Sequence, residues 1–316
     1  MTYNSTDIEP PSAIDIALTV IFAILVVINL MSNTLVCWVI WRYRESKNFM
    51  NYLVVNLAVA DIMIAVFITP QYVLRHLFKH PVGTAGDVLC KLVTGGNFIW
   101  IGGAASAFTL AGIAIERYLA VSNPERSQVS ARRIKGIIIA SWVYALLFNL
   151  PLFFVIKYEK LPNDFRCPEK WPPTKIYAKV FTIGAFIVMG AIPIGMMSVF
   201  YSLTIRALWK NRLHATAQSD LAIVRQRKKA TKMMLVVSVL YTICWLPNLI
   251  LYMLSQYEPS WYIYFSTSYV VSVVLVCANS TMNPFVYTFH SSRFRNELKS
   301  ILCCIRHRHV DFLRSL

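Results

Sequence analysis

Charge is scarce in this chain, and its absence is organised. Only 15% of the 316 residues are charged while 57% are hydrophobic, a balance that excludes an ordinary soluble domain. No charged residue occurs in 16–41, 92–115, 136–156, 180–205, 233–257 or 259–292, and 48–74 carries Asp61 alone. At about 1.5 Å per helical residue, each run is long enough to cross about 30 Å of hydrocarbon. The sequence therefore predicts an all-α membrane protein, a bundle of seven transmembrane helices over 16–290. Residues 1–15 form an N-terminal segment, and 291–316 a short amphipathic helix and tail.

Other absences narrow the function. The first fifteen residues are polar and acidic rather than basic and then apolar, so a cleavable signal sequence is not expected and the first span serves as its own insertion signal. The two halves show no repeat, and one buried acid is little for coupled transport, which weighs against a transporter. Paired carboxylates, a nucleophile with its base, or a metal cluster converge nowhere, so enzymatic activity is not expected. Gly95, Gly96, Gly102 and Gly103 lack the strand and the Lys-Ser/Thr pair of a phosphate loop; they suit close helix packing instead.

What charge there is sets the topology. The segments 42–47, 116–135, 206–232 and 293–316 hold 22 Lys and Arg against six acids, whereas the rest of the chain holds nine against nine. By the positive-inside rule the richer side is cytoplasmic, with the N-terminus outside. The net charge of +16 is thus a membrane signal, and nucleic acid is not an expected partner. Asn4-Ser5-Thr6 is then an outer glycosylation sequon, while Asn279-Ser280-Thr281 lies within a span and is unusable. Of seven cysteines, only Cys90 and Cys167 lie on the oxidising side, so they are the natural disulfide pair. Cys37, Cys244 and Cys277 fall within spans. Cys303 and Cys304 follow an apolar stripe of Phe294, Leu298, Ile301 and Leu302 and suit palmitoylation at the inner leaflet. The run Arg225, Arg227, Lys228, Lys229 and Lys232 faces either lipid headgroups or an acidic cytoplasmic partner.

A few polar groups sit where they are costly. Asp61 is the one mid-membrane carboxylate, and Asn33, Ser106, Asn279, Ser280 and Asn283 are available to it from other spans. It serves either as protonated glue between helices or as a site for a cation. Glu116-Arg117-Tyr118 ends an uncharged run, as a boundary marker or as a functional ion pair. Pro193, Pro247 and Pro284 bend spans five, six and seven, giving either static kinks or a bundle with more than one packing.

Seven spans with Glu116-Arg117-Tyr118, Cys244-Trp245-Leu246-Pro247 and Asn283-Pro284-Phe285-Val286-Tyr287, in that order, resemble the rhodopsin-like, class A family of G-protein-coupled receptors from Asn33 to Cys304. The resemblance implies that Arg117, held by Glu116 at rest, swings to meet a heterotrimeric G protein, Tyr201 and Tyr287. It implies that Trp245 senses the ligand and moves span six about Pro247, and that Asn283-Pro284 belongs to the same relay. It matches Asp61, Ser106, Trp245, Asn279 and Asn283 to positions that hold sodium in inactive receptors. Arrestin is a further partner in such a family, and membrane lipid surrounds the bundle.

The departures from that pattern are informative. Arg227 and Lys228 stand where family members often place an acid that locks the arginine, which leaves Glu116 as its restraint and leads us to expect appreciable basal signalling. Cys90 lies 27 residues before Arg117, two more than the usual spacing, which demands a bulge near the glycines or a cysteine still in the loop. Tyr241 stands where many members carry phenylalanine. Span three offers no aspartate for an amine ligand, and span seven no lysine for retinal. The outer vestibule is expected around Gln71, Arg75, Ile99, Trp100, Gly103, Tyr252 and Tyr269, with Trp171, Tyr257 and Trp261 near it. It suits an extracellular peptide, with lipids and other small molecules as the alternative. Arg75 and the basic residues after Lys157 hint at an acidic ligand.

Overall fold

A computed structural model describes residues 12–42, 49–75, 77–122, 131–161, 165–174, 176–214, 217–257, 266–290, 294–296 and 300. Seven helices in it are long and apolar enough to cross a membrane: Ala13–Arg42, Asn51–Val73, Gly83–Ser122, Arg132–Val155, Ile176–Leu213, Gln218–Leu254 and Thr267–His290. We refer to them as spans one to seven. Asn4, Cys303 and Cys304 lie outside the described residues, as does most of the expected amphipathic helix; Phe294, at its start, packs against the core.

Span one begins with a reciprocal cap that the sequence reading missed. Ser12 Oγ accepts from the Asp15 backbone N–H and Asp15 Oδ2 accepts from the Ser12 backbone N–H, each at 3.2 Å, while the Ser12 hydroxyl donates to the same Oδ2 at 2.7 Å; the two backbone bonds satisfy donors of the first turn.

Span three is the axis of the bundle, with 78% of its most apolar stretch buried against 17% for span one. Small residues make this possible. A Cβ on Gly102 would lie 2.9 Å from Ile64 Cγ1 and 3.0 Å from the Ala60 carbonyl oxygen, so span two approaches at backbone distance. Beside this contact runs a fully paired polar layer. Asn56 donates to Thr109 Oγ1 (2.8 Å) and Ser141 Oγ (3.3 Å) and accepts from Trp142 Nε1 (2.8 Å). Thr109 and Ser141 donate onward to the carbonyls of Ala105 and Ile138. Spans two, three and four are thereby joined through groups that leave no polar atom stranded.

The extra residues before span three are absorbed where the glycines stand. A helix over Gly83–Leu89 passes into a π-helical turn, Cys90–Thr94, and the chain breaks at Gly95-Gly96, where Gly96 adopts φ +81°, before the helix Asn97–Ser122 begins. Only glycine takes that conformation without strain. Cys90 thus lies in the span's outer part and is disulfide-bonded to Cys167, their Cα atoms 5.5 Å apart. Cys167 follows a short antiparallel hairpin, β1 (Glu159–Lys160) and β2 (Phe165–Arg166).

Most of the basic segment 206–232 is helix. Spans five and six continue through it as helix to His214 and from Gln218. Lys, Arg, Gln, Leu and Ala are good helix formers, so both helices carry their positive charge past the apolar zone.

Proline carbonyls explain how the bent spans stay satisfied. Pro193 has no N–H for the carbonyls of Met189 (i−4) or Val188 (i−5), and it follows a π-helical turn at Phe186–Ala191. Tyr241 of span six donates to the Met189 oxygen at 2.6 Å and Tyr144 of span four to the Val188 oxygen at 2.7 Å. Pro284 likewise frees the Ser280 carbonyl, which accepts from Asn33 Nδ2 at 3.1 Å. Side chains of neighbouring spans thus replace the missing backbone donors.

Candidate functional site

Two ends and a middle make up the site. At the disulfide end, spans three to seven and the loop beyond span four surround a narrow cavity lined by Trp100, Phe148, Asn149, Leu152, Glu169, Phe181, Ala185, Met189, Asn248, Leu249, Tyr252 and Tyr269. Of the predicted vestibule, Trp100, Tyr252 and Tyr269 line it. Gln71 is buried beside Gly96, Ile99 packs in the core, and Arg75 turns to the loop, donating to the Phe165 carbonyl at 2.7 Å and covering its ring. Gly103 is a seat rather than a lining residue. A Cβ there would fall 1.9 Å from the Trp245 ring. Tyr257 lies under Lys179 Nζ at 4.8 Å, and Trp261 is outside the described residues.

Glu169 was missed. Its Oε2 accepts from Trp171 Nε1 at 2.7 Å, and both oxygens accept from the Tyr252 hydroxyl at 2.9 and 3.0 Å. Burial pushes its pKa up, and the hydrogen bonds from Trp171 and Tyr252 oppose that shift. The only hint available in the sequence was an acid two residues beyond the bridging cysteine and two before a tryptophan.

In the middle, Trp245 is fully buried, edge-on to Trp100 (6.3 Å between centroids) and stacked on Tyr241 (5.6 Å). Two residues onward, Pro247 interrupts the hydrogen-bond ladder of span six, and Asn248 ties that turn to Ser272 of span seven at 2.9 Å. Asp61 is buried and accepts from Asn283 Nδ2 at 2.7 Å. Asp61 Oδ1, Ser106 Oγ, Asn279 Oδ1 and Asn283 Oδ1 are all buried without a hydrogen-bond partner. The set comprises a carboxylate and neutral oxygens, the donors a hard cation takes. Trp245 Nε1 is also unpartnered, but an indole N–H donates only, so it bounds such a site without ligating.

At the basic end, Glu116 is buried and within electrostatic reach of both Arg117 and Arg133 of span four. Arg117 in turn feels Glu116, Tyr201 and the like charge of Arg227. Glu116 Oε1, Arg117 Nε and the Tyr287 hydroxyl have no hydrogen-bond partner. Tyr201 accepts a 3.5 Å bond from Ser238 and lies within reach of Tyr287. Tyr118 points away, tilted against Phe200 at 5.8 Å. Arg133 as a second claimant on Glu116 was not foreseen.

These features coincide with a family. The chain matches the description 7 transmembrane receptor (rhodopsin family) over residues 32–287. It belongs to that family. The receptor is also similar to the substance-P receptors of Canis lupus familiaris and Homo sapiens, each 29% identical over 291 residues, and of Mus musculus, 28% identical over the same length. Each alignment covers 90% of this chain and 70% of the relative. The polar middle and the basic end hold the chain's motif residues. One Cys/His group, His80 with Cys90 and Cys167, is close enough to suggest a metal, yet the disulfide has consumed the thiolates a metal would need.

Proposed function

We propose that this plasma-membrane receptor binds an extracellular peptide at its disulfide end and activates a heterotrimeric G protein at its basic end, with the N-terminus outside and the C-terminus inside. Trp245 carries the reading. Its ring touches Trp100 of the cavity on one side and Tyr241 on the other, so one side chain joins the cavity to the seam between spans five and six. The similarity to receptors named for substance P favours a neuropeptide ligand, and an aromatic cavity suits one. Activation is a population shift, and agonist favours the signalling packing only by its differential affinity for it.

In the resting packing, Glu116 holds Arg117, shared with Arg133, and Arg227 adds repulsion where an acid would add restraint. Release of Arg117 toward Tyr201 and Tyr287 opens the face that the G protein, and in turn arrestin, occupies. Asp61, Ser106, Asn279 and Asn283 would hold sodium, which supplies a positive charge against the Asp61 carboxylate and favours the resting packing. The N-glycan at Asn4 and palmitates at Cys303 and Cys304 complete the proposal. Screening a neuropeptide library on expressing cells, with G-protein activation as the readout, tests it. Responses are expected among peptides; silence there with responses to lipids would overturn the ligand class, and no basal activation above receptor-free cells would overturn the weak restraint of Arg117.

A further inference from the structure

Glu169 gives the cavity a charge preference. It is the one ionisable acid among the lining residues, and no lysine or arginine lines the cavity. Its backbone is fixed. Glu169 pairs with Ile156 in an antiparallel bridge, Lys157 N–H donates to the Pro168 carbonyl at 3.1 Å, Lys170 N–H donates to the Val155 carbonyl at 2.8 Å, and the disulfide at Cys167 anchors the strand two residues earlier. The carboxylate is therefore held in place rather than carried on a loose loop.

Its partners are neutral. Trp171 and Tyr252 orient both oxygens but bring no positive charge, and a carboxylate has about four lone-pair positions, more than these donors fill. The basic groups described nearby are engaged elsewhere: Lys170 with Glu159 at 3.6 Å, Lys157 with Asp87 at 4.0 Å, Arg75 with Phe165, and Lys179 over Tyr257. Glu169 is half-buried, and a carboxylate partly withdrawn from water without a cation carries a desolvation cost. Around it stand the rings of Trp100, Phe148, Phe181 and Tyr269, faces that attract a desolvated cation.

We propose that the agonist carries a guanidinium or ammonium group that enters this cavity and pairs with Glu169. The inference deepens the peptide reading and rests on it for the source of the cation, an arginine, lysine or terminal amine. It reverses the sequence-based hint of an acidic ligand, because Arg75, Lys157 and Lys170 are engaged elsewhere and the one acid or base with a full charge among the cavity-lining residues is Glu169.

Two measurements test it. The first uses purified receptor in lipid nanodiscs with butylguanidinium and its neutral isostere butylurea. A melting-temperature rise with butylguanidinium that is absent with butylurea, and absent from Glu169→Gln, is expected; no rise, or equal rises with both, overturns the proposal. The comparison in the unaltered receptor stands even if the variant is poorly expressed. The second takes peptides active in the library screen and replaces each arginine by citrulline and each lysine by acetyl-lysine. Potency is expected to fall about 10- to 100-fold for one such position, and Glu169→Gln, matched for surface expression, should reduce that fall to about threefold or less. Peptides indifferent to the change would sink the cation while leaving the peptide reading intact. Small amines that activate through Glu169 where peptides do not would sink the peptide reading and keep the cation.

Discussion

Two polar layers cross this bundle about one and a half helical turns apart, and they are built on opposite principles. Around Asn56, every side-chain donor and acceptor has a partner, and three spans are riveted together. Around Asp61, oxygens from spans two, three and seven are buried without partners. The first layer is complete as protein and has no reason to move. The second is complete only with something more, whether an ion, water or a different packing, and it lies between the cavity and Arg117. Stability and responsiveness are thus assigned to different sets of polar residues rather than balanced within one.

The largest effect should come from breaking the finished layer. Asn56→Leu strands Trp142 Nε1 and removes the partner of Thr109 and Ser141, which should cost about 3 kcal/mol; thermal inactivation of the solubilised receptor would show it, equally with sodium or potassium in the buffer. Asp61→Asn should do the reverse. In sodium-free buffer its stability should change little, by about 1 kcal/mol or less, whereas the sodium-dependent rise in melting temperature expected of the parent should vanish. A variant that keeps that rise would remove the contrast between the layers.

Smaller effects sharpen the boundary between fixed and movable parts. Tyr241→Phe and Tyr144→Phe each leave a buried carbonyl of span five unpaired, at about 1 kcal/mol. Both should lower thermal stability, but only Tyr241→Phe, which unpins span six, should raise ligand-free nucleotide exchange, by about fivefold. Equal basal signalling from the two would mean that span six is not the moving part. Last, Arg227→Glu should halve basal exchange roughly, the effect of one exposed charge pair, while Glu116→Gln raises it; the same measurement reads both.

The spans were legible because hydrocarbon tolerates so little charge that gaps between Arg, Lys, Asp and Glu mark them directly. Cys90 with Cys167 was legible from compartment alone, and the need for a bulge from counting residues between Cys90 and Arg117. Side chains that meet across spans were harder. Pro193 announced that a carbonyl would need a donor, yet which tyrosines supply it depends on the facing surfaces of spans four and six. Arg133 reaches Glu116 for the same reason, through helix packing that no local pattern records. Gly103 looked like a place for ligand because small residues leave room; the room belongs to Trp245. Glu169 was hidden by its neighbourhood, since one of three acids in a loop that also carries four lysines reads as part of a solvated loop until its fold turns it inward.

The π-helical turn at Phe186–Ala191 has a consequence for how such a chain can diversify. One surplus residue there sets the outer part of span five, with Phe181 and Ala185 facing the cavity, about 100° out of phase with the inner part. Deleting a single residue from that turn would spin the cavity-lining surface while the helix carrying Tyr201 kept its register. The turn is a splice point, where one end of the helix can be rotated without disturbing the other.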